Sequence, residues 1–369
     1  MTYNWQQSDW PEFTYHLQDV EDILLAIAEE TGYVSGILKT MPNDLQTEAI
    51  INMMVSEAIK TSEIEGEYLS REDVMSSIRN NLDLNAPQEI IKDKKAQGAG
   101  ELMVAVRNSF ASALTEETLF TWHTMLMRPN TRINVGVWRT HKEAMQVVSG
   151  AIGREKIHFE APLSVQVPDE MNKFIQWFND TAPGGNKEIK KAPLRSAIAH
   201  LYFETIHPFE DGNGRIGRAI AEKALSQTIG RPVLLSISQT IEADKKSYYS
   251  ALETAQRSNV ITDWVKYFVI IILDAQKQSR VLIDLTLKKT KFFDRFKEQL
   301  NERQLKVIVK MFDAEPKGFE GGMTAKKYIS ITGTSKATAT RDLQMLANLG
   351  IFISSGAGRS NHYVLNLQD

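Results

Sequence analysis

No stretch constrains the fold of this chain more than the twelve residues from His207 to Arg218, His-Pro-Phe-Glu-Asp-Gly-Asn-Gly-Arg-Ile-Gly-Arg. Residues 193–206 before it carry apolar side chains at helical spacing. Residues 218–229 after it do the same and stop at Gly230, with Pro232 just beyond. The pattern predicts a tight turn that feeds the N-terminus of a second helix. The first amides of a helix lack partners, and the helix dipole adds partial positive charge there. Gly212, Asn213 and Gly214 tolerate unusual backbone angles, so their amides can curl into an anion nest. Arg215 and Arg218, three apart on one helical face, can each fork onto phosphate oxygens. Asp211 offers the hard oxygen that Mg2+ on a phosphate chain prefers. His207 alone in this stretch has an unperturbed titration near neutrality, so it can take a hydroxyl proton. A capped helix with solvated arginines would explain a lone Gly-Asn-Gly turn, but not this full set of residue types. Together they specify phosphate-ester chemistry on a nucleotide.

The rest of the composition narrows the setting. A net charge of −3, with both signs interleaved over 369 residues, creates no global field for nucleic acid or membrane. The absence of cysteine excludes disulfides and thiolate metal sites and fits a reducing compartment. The polar start lacks the basic and apolar regions of a signal peptide. The most apolar run, residues 268–273, suits a buried helix rather than a membrane span. The expectation is a soluble, cytoplasmic protein with no membrane partner.

The stretch also resembles the signature of the Fic family, His-Pro-Phe-x-Asp/Glu-Gly-Asn-Gly-Arg-x-x-Arg, at every defined position. That resemblance, over about residues 15–275, implies a mainly α fold: a helical core carrying a β-hairpin flap. It implies transfer of AMP from ATP, with Mg2+, to a Ser, Thr or Tyr hydroxyl of a target protein, which could be the protein itself. His207 would be the base, Asp211 the metal ligand, and Gly212, Asn213, Gly214, Arg215 and Arg218 the phosphate cradle, with the Asn213 side chain included. Upstream, Thr61-x-x-x-Glu65-Gly66 resembles the inhibitory motif of many Fic proteins. Acids at that helix C-terminus oppose the dipole and call for a cationic partner. The resemblance supplies one, since it implies that Glu65 pairs with Arg218 and denies it to the γ-phosphate. With Glu65 in place, the same site could position water and remove AMP from modified proteins. The alternating residues near 136–162 resemble the flap, in which Ile157, His158 and Phe159 would offer backbone groups to a target segment by strand addition. After the signature, Tyr248 and Gln256 would line the nucleoside pocket. His123 and His200 read as packing or core residues, because neither sits in a metal-ligand pattern.

Four regions follow: a helical region with the inhibitory helix over 1–110, the Fic core over 111–280, a helical connector over 281–300, and a tail over 301–369. The first region is expected to include helices near 20–28 and 49–59 and another over 88–113. The tail reads as helix, helix, turn, helix and hairpin, resembling a winged helix-turn-helix domain. Its exposed Lys336, Thr340 and Arg341, with Arg359 at the hairpin tip, suit DNA phosphates. Such domains also serve protein contacts and homodimers, so fold alone leaves the partner open. Two alternatives to AMP transfer stand: a Fic site transferring UMP, phosphate or phosphocholine, and a DNA-binding regulator whose core senses a nucleotide.

Overall fold

The computed structural model describes residues 2–367 except 86, 129, 150–155, 316–317 and 357–360. The chain is mainly helical and divides into two units, Met1–Ser279 and Arg280–Asp369. Residues 1–110 and 111–279, expected as two regions, lie together in the first unit.

In the first unit the central pair is α7 (Ala192–Ile206) and α8 (Asn213–Ile229). Every residue of α7 is buried. A helix apolar on all sides needs partners on all sides. One face of α7 packs through Tyr202, Phe203 and Ile206 into a cluster with Trp122 and Phe174. Another packs through Leu194, Ile198 and Leu201 against Trp264 and Phe268. The apolar run expected in a buried helix is thus found in α11 (Thr262–Phe296), where Phe268, Val269 and Ile272 are fully buried.

Upstream, α1 (Glu21–Thr40) and α2 (Asn43–Ile64) are separated at Met41-Pro42, as proline chemistry requires. α2 stops where Gly66 takes a φ of +79°. The helix expected over 88–113 is shorter. α4 runs Lys94–Asn108, with Asp93 capping it by accepting from the Lys95 amide at 2.9 Å. The preceding residues are instead tied to α3 (Arg71–Asn81): Asn80 and Glu89 exchange two hydrogen bonds, and Asp73 accepts the Asp93 amide. Local side-chain bonds outcompete the helix there. The extended N-terminal residues cross to distant parts of the same unit: the Asn4 amide donates to Gln256, and Thr14 bridges Val260.

The hairpin consists of β1 (Gln146–Ser149) and β2 (Lys156–Glu160), antiparallel with a register shift between Val147 and Val148. Gly150 and Gly153, expected between the strands, lie outside the described residues.

In the second unit, α12 (Glu302–Phe312), α13 (Ala325–Thr332) and α14 (Lys336–Asn348) precede a hairpin of β3 (Phe352–Ser355) and β4 (His362–Leu365). Asn301, Thr324 and Ser335 cap the three helices in turn. Ala339, Leu343 and Leu346 point inward while Lys336, Thr340 and Arg341 are exposed. Arg359 lies outside the described residues. Residues 281–300 are more than a connector: α11 continues through them as far as Phe296, and Phe292 and Phe296 belong to the core of this unit.

Candidate active site

The turn between α7 and α8 is closed from within. His207 ends α7 in the left-handed region at φ +50°, uncommon for a residue with a Cβ. Arg139 holds it there: Nε donates to the His207 carbonyl at 2.8 Å, and the terminal nitrogens reach Pro162 O, Ser164 Oγ and Ile206 O. The Asn213 side chain forms a reciprocal pair with the Phe209 backbone at 2.9 and 2.8 Å. This corrects the expectation that its amide group faces a phosphate. Asn213 is buried and builds the loop instead.

Gly212 enters α8 at φ +82°. The amides of Asn213, Gly214 and Arg215 have no acceptor among the described residues, and Ile216 is the first to bond, to Gly212 O. Open amides at a helix start can receive an anion. Asp211 binds the Gly212 amide through Oδ1 at 2.6 Å, yet its side chain remains 53% exposed at the cavity.

That cavity, about 700 Å3, is walled by the turn, the hairpin and α10 (Lys245–Ala255). His207, Asp211, Gly212, Asn213, Gly214, Arg218 and Glu65 all line it. Arg218 and Glu65 are joined at 2.7 Å. Arg218 also donates to Thr61 Oγ1 at 2.7 Å and to the Thr61 carbonyl at 2.9 Å, so it caps the end of α2. A guanidinium at a helix C-terminus satisfies carbonyls and complements the dipole. Burial works to lower the Arg218 pKa, but the Glu65 charge and hydrogen bond, with Tyr248 and Tyr249, together raise it. Gly214 leaves room for Glu65, since a Cβ there would lie 2.3 Å from Glu65 Oε1. The carboxylate thus sits against the first turn of α8, as an anion would.

Arg215 departs from expectation. It is buried, does not line the cavity, and pairs with Glu67 at 2.5 Å. Lys95 joins the same carboxylate at 2.6 Å. Burial pushes the Glu67 pKa up, but Arg215 and Lys95 more than offset this and hold it below the ordinary range. The Thr-x-x-x-Glu-Gly pattern stops one residue short of Glu67, so pattern matching missed it. Its −1 charge beside a cationic motif was the available signal.

His207 is pushed down to about 4, first by burial and then by the Arg139 charge. It is neutral at pH 7 and able to accept a proton. Its Nδ1 lies 3.6 Å from the Glu204 carboxylate. His123, expected only to pack or cap, also supports the turn. Its Nδ1 accepts the Gly136 amide, so Nε2 carries the proton and donates to Asp211 O at 3.1 Å. Its ring stacks on Phe209 at 4.0 Å. His200 is a buried core histidine bonded to the Tyr248 hydroxyl at 2.8 Å, and burial drives its pKa down to about 3.

On the opposite wall, Tyr248 and Gln256 line the cavity. The Tyr248 hydroxyl bonds His200, and the Gln256 Nε2 donates to Glu204 O at 3.2 Å, which leaves the Gln256 Oε1 without a partner among the described residues. In β2, Ile157 is 47% exposed and Phe159 is buried. The His158 ring bonds Glu253 at 2.8 Å, and its carbonyl accepts from Arg257 at 2.9 Å. That carbonyl is therefore taken, contrary to the expectation that it is offered to a target.

Among the described residues no group of three His, Cys, Asp or Glu side chains could hold a metal. A single exposed carboxylate is nevertheless what magnesium on a nucleotide uses, with phosphates and water completing its shell. Asp211 fits that role. No helix among the described residues is long and apolar enough to cross a membrane.

Comparison with known proteins agrees with this geometry. Residues 113–225 match the Fic/DOC family, and residues 3–84 match a domain of unknown function, DUF4172. A probable protein adenylyltransferase of Aquifex aeolicus is 29% identical over 103 residues, 28% of each chain. A Caenorhabditis elegans protein adenylyltransferase is 29% identical over 101 residues, 27% of this chain and 18% of that one. The chain thus spans under a third of these two relatives. A Fido domain-containing protein of Dictyostelium discoideum is 31% identical over 134 residues, 35% of this chain and 87% of that one. The crystal structure of a Fic family protein from Desulfovibrio desulfuricans superposes with a TM-score of 0.54 at 19% identity, covering 97% of this chain and 99% of that one. By fold, by the residues around its cavity and by descent, the chain belongs to the Fic/DOC family.

Proposed function

We propose that the protein transfers AMP from ATP to a Ser, Thr or Tyr hydroxyl of a protein, itself included, and that Glu65 restrains it. The observation that carries this reading is the Glu65–Arg218 pair, set against the open amides of α8 beside His207. The names of the adenylyltransferase relatives supply the nucleotide.

The amides of Asn213, Gly214 and Arg215 would cradle the polyphosphate, and Arg218 would fork onto its γ-phosphate after exchanging Glu65 for it. Asp211 would hold Mg2+, which when bound neutralises phosphate charge and orients ATP. Neutral His207 would take the acceptor proton as the oxygen attacks the α-phosphorus and pyrophosphate departs. Ile157, the exposed member of β2, would lie against the incoming segment. Arg215 would reach phosphate only after leaving Glu67. With Glu65 retained, the carboxylate could instead position water and reverse the modification.

A second reading draws on the exposed Lys336, Thr340 and Arg341 of α14, which in a winged helix would face DNA or a partner copy. One experiment weighs the two: wild type and Glu65→Gly incubated with each labelled nucleotide triphosphate, followed by adduct mapping. The expected result is AMP on a hydroxyl residue, increased by the substitution. An adduct with another nucleotide would change the donor. No adduct in either protein, together with salt-sensitive DNA binding, would overturn the transferase reading.

A further inference from the structure

Two glycines of α8 open onto carboxyl groups. At Gly214 the neighbour is Glu65. At Gly217 it is Glu204, whose Oε1 would lie 2.2 Å from an added Cβ. Glu204 sits on the last turn of α7, and nothing in the mechanism above uses it. It is 4% exposed, lines the cavity, and has one oxygen, Oε1, with no hydrogen-bond partner. Its other oxygen stands 3.6 Å from His207 Nδ1. A buried carboxyl group with an oxygen left unbonded costs stability, and an apolar side chain would fill the space without that cost. The chain instead keeps the acid behind its candidate base and leaves position 217 without a side chain to admit it.

We infer that Glu204 is a positioning residue for His207: it holds the tautomer with the proton on Nδ1 and stabilises the imidazolium that forms during transfer. The inference rests on His207 being the base. Nδ1–H faces the main-chain carbonyl and the carboxyl group of Glu204. Nε2 has no hydrogen-bond partner among the described residues and is the basic atom. The acceptor O–H bond breaks with its proton going to Nε2. The acceptor oxygen bonds the α-phosphorus as the P–O bond to pyrophosphate breaks. Positive charge then appears on the ring beside Glu204, where a carboxylate counters it.

The groups facing Glu204 set its charge. Arg218 approaches from α8, Glu65 from the end of α2, Tyr248 and Tyr249 from α10, and His200 and His207 from its own helix. Burial pushes Glu204 up to about 8, with Arg218 pulling it down and Glu65 raising it. When Glu65 leaves Arg218, the acid ionises more readily. Burial holds the partner of the base neutral, and the carboxylate that blocks phosphate adds to that.

The test uses the full chain in a Glu65→Gly background, which should self-modify, with Glu204→Gln added. We expect kcat to fall about 10- to 100-fold, the scale of a charge-assisted hydrogen bond, with KM for ATP little changed. The parent rate should rise with pH below 8, because Glu65 no longer raises Glu204, and the Gln variant should lose that rise while Glu204→Asp recovers part of it. Unchanged kcat and pH profile would overturn the inference. Nitrogen NMR of His207 in the unsubstituted protein provides a check that needs no variant to fold and no activity. Protonated Nδ1 supports the assignment, and the opposite tautomer overturns it. A parent that forms no adduct would sink the transferase reading instead, and the NMR result would still stand.

Discussion

Two helix ends meet at the cavity, and each supplies what the other lacks. The start of α8 presents unbonded amides and two guanidinium groups. The end of α2 presents a carbonyl and, just past it, Glu65 and Glu67. Joined, they pair their charges while the amides stay open: Arg218 takes Thr61 and Glu65, and Arg215 takes Glu67. The difference lies in depth. Glu65 and Arg218 line the cavity, whereas Arg215 does not, so in the proposed reaction the first pair would contest phosphate and the second would stiffen the junction.

The comparison can be broken at its strongest point first. His207→Ala should reduce transfer about 10²- to 10⁴-fold, the usual contribution of a general base. Calorimetric ATP affinity should stay within a few-fold, because the cradle is untouched. A matching loss of affinity would place His207 among the binding groups. Next, Glu65→Gly should tighten ATP binding about tenfold or more, since it frees a buried cation from a charged hydrogen bond. Glu67→Gln should change it by only about threefold, because that carboxylate is a quarter exposed and its cation lies off the cavity. Equal effects would show that both arginines reach the phosphates.

The smallest effect is in pH. His207, depressed to about 4 from 6.5, favours folding above 6.5 and loses that contribution as pH falls toward 4. Glu204, raised to about 8, acts oppositely: its contribution is full below 4.5 and disappears as pH rises through 8. The two slopes oppose one another between 4.5 and 6.5. Above that range Glu204 remains, aided by Glu222, which burial and Glu57 also push up to about 8. Melting temperature should therefore decline from pH 6.5 to 8, and less so in Glu204→Gln. A decline of the same size in the variant would assign the slope elsewhere.

The sequence made the α7–α8 turn legible because its chemistry is local: glycine angles, helix-start amides and spacing all lie within twelve residues. Thr61 and Glu65 could be read only beside a family pattern, because their partner is 153 positions away from Glu65. Glu67 and Arg139 were missed because each acts through a contact that no spacing rule encodes, whereas Glu204, three residues before His207, stood at a helical spacing that signals its contact. Arg139 looked like one more cation, yet four acceptors surround it. Asn213 was read in the right place with the wrong task, since a composition that permits a phosphate contact also permits a loop brace. The helix expected from 88 lost its first turn to Asn80 and Asp73, bonds invisible to periodicity.

The first residues of the chain reach the hairpin. The Tyr3 ring meets Phe159 edge-on at 5.0 Å, and the Trp5 indole donates to Glu160 O at 2.8 Å, a tie across 155 positions. Arg257 lies over the Tyr3 ring while its guanidinium grips the strand. Tension on Tyr3 or Trp5 would therefore be felt as slack in β2, on the far wall of the cavity from the turn.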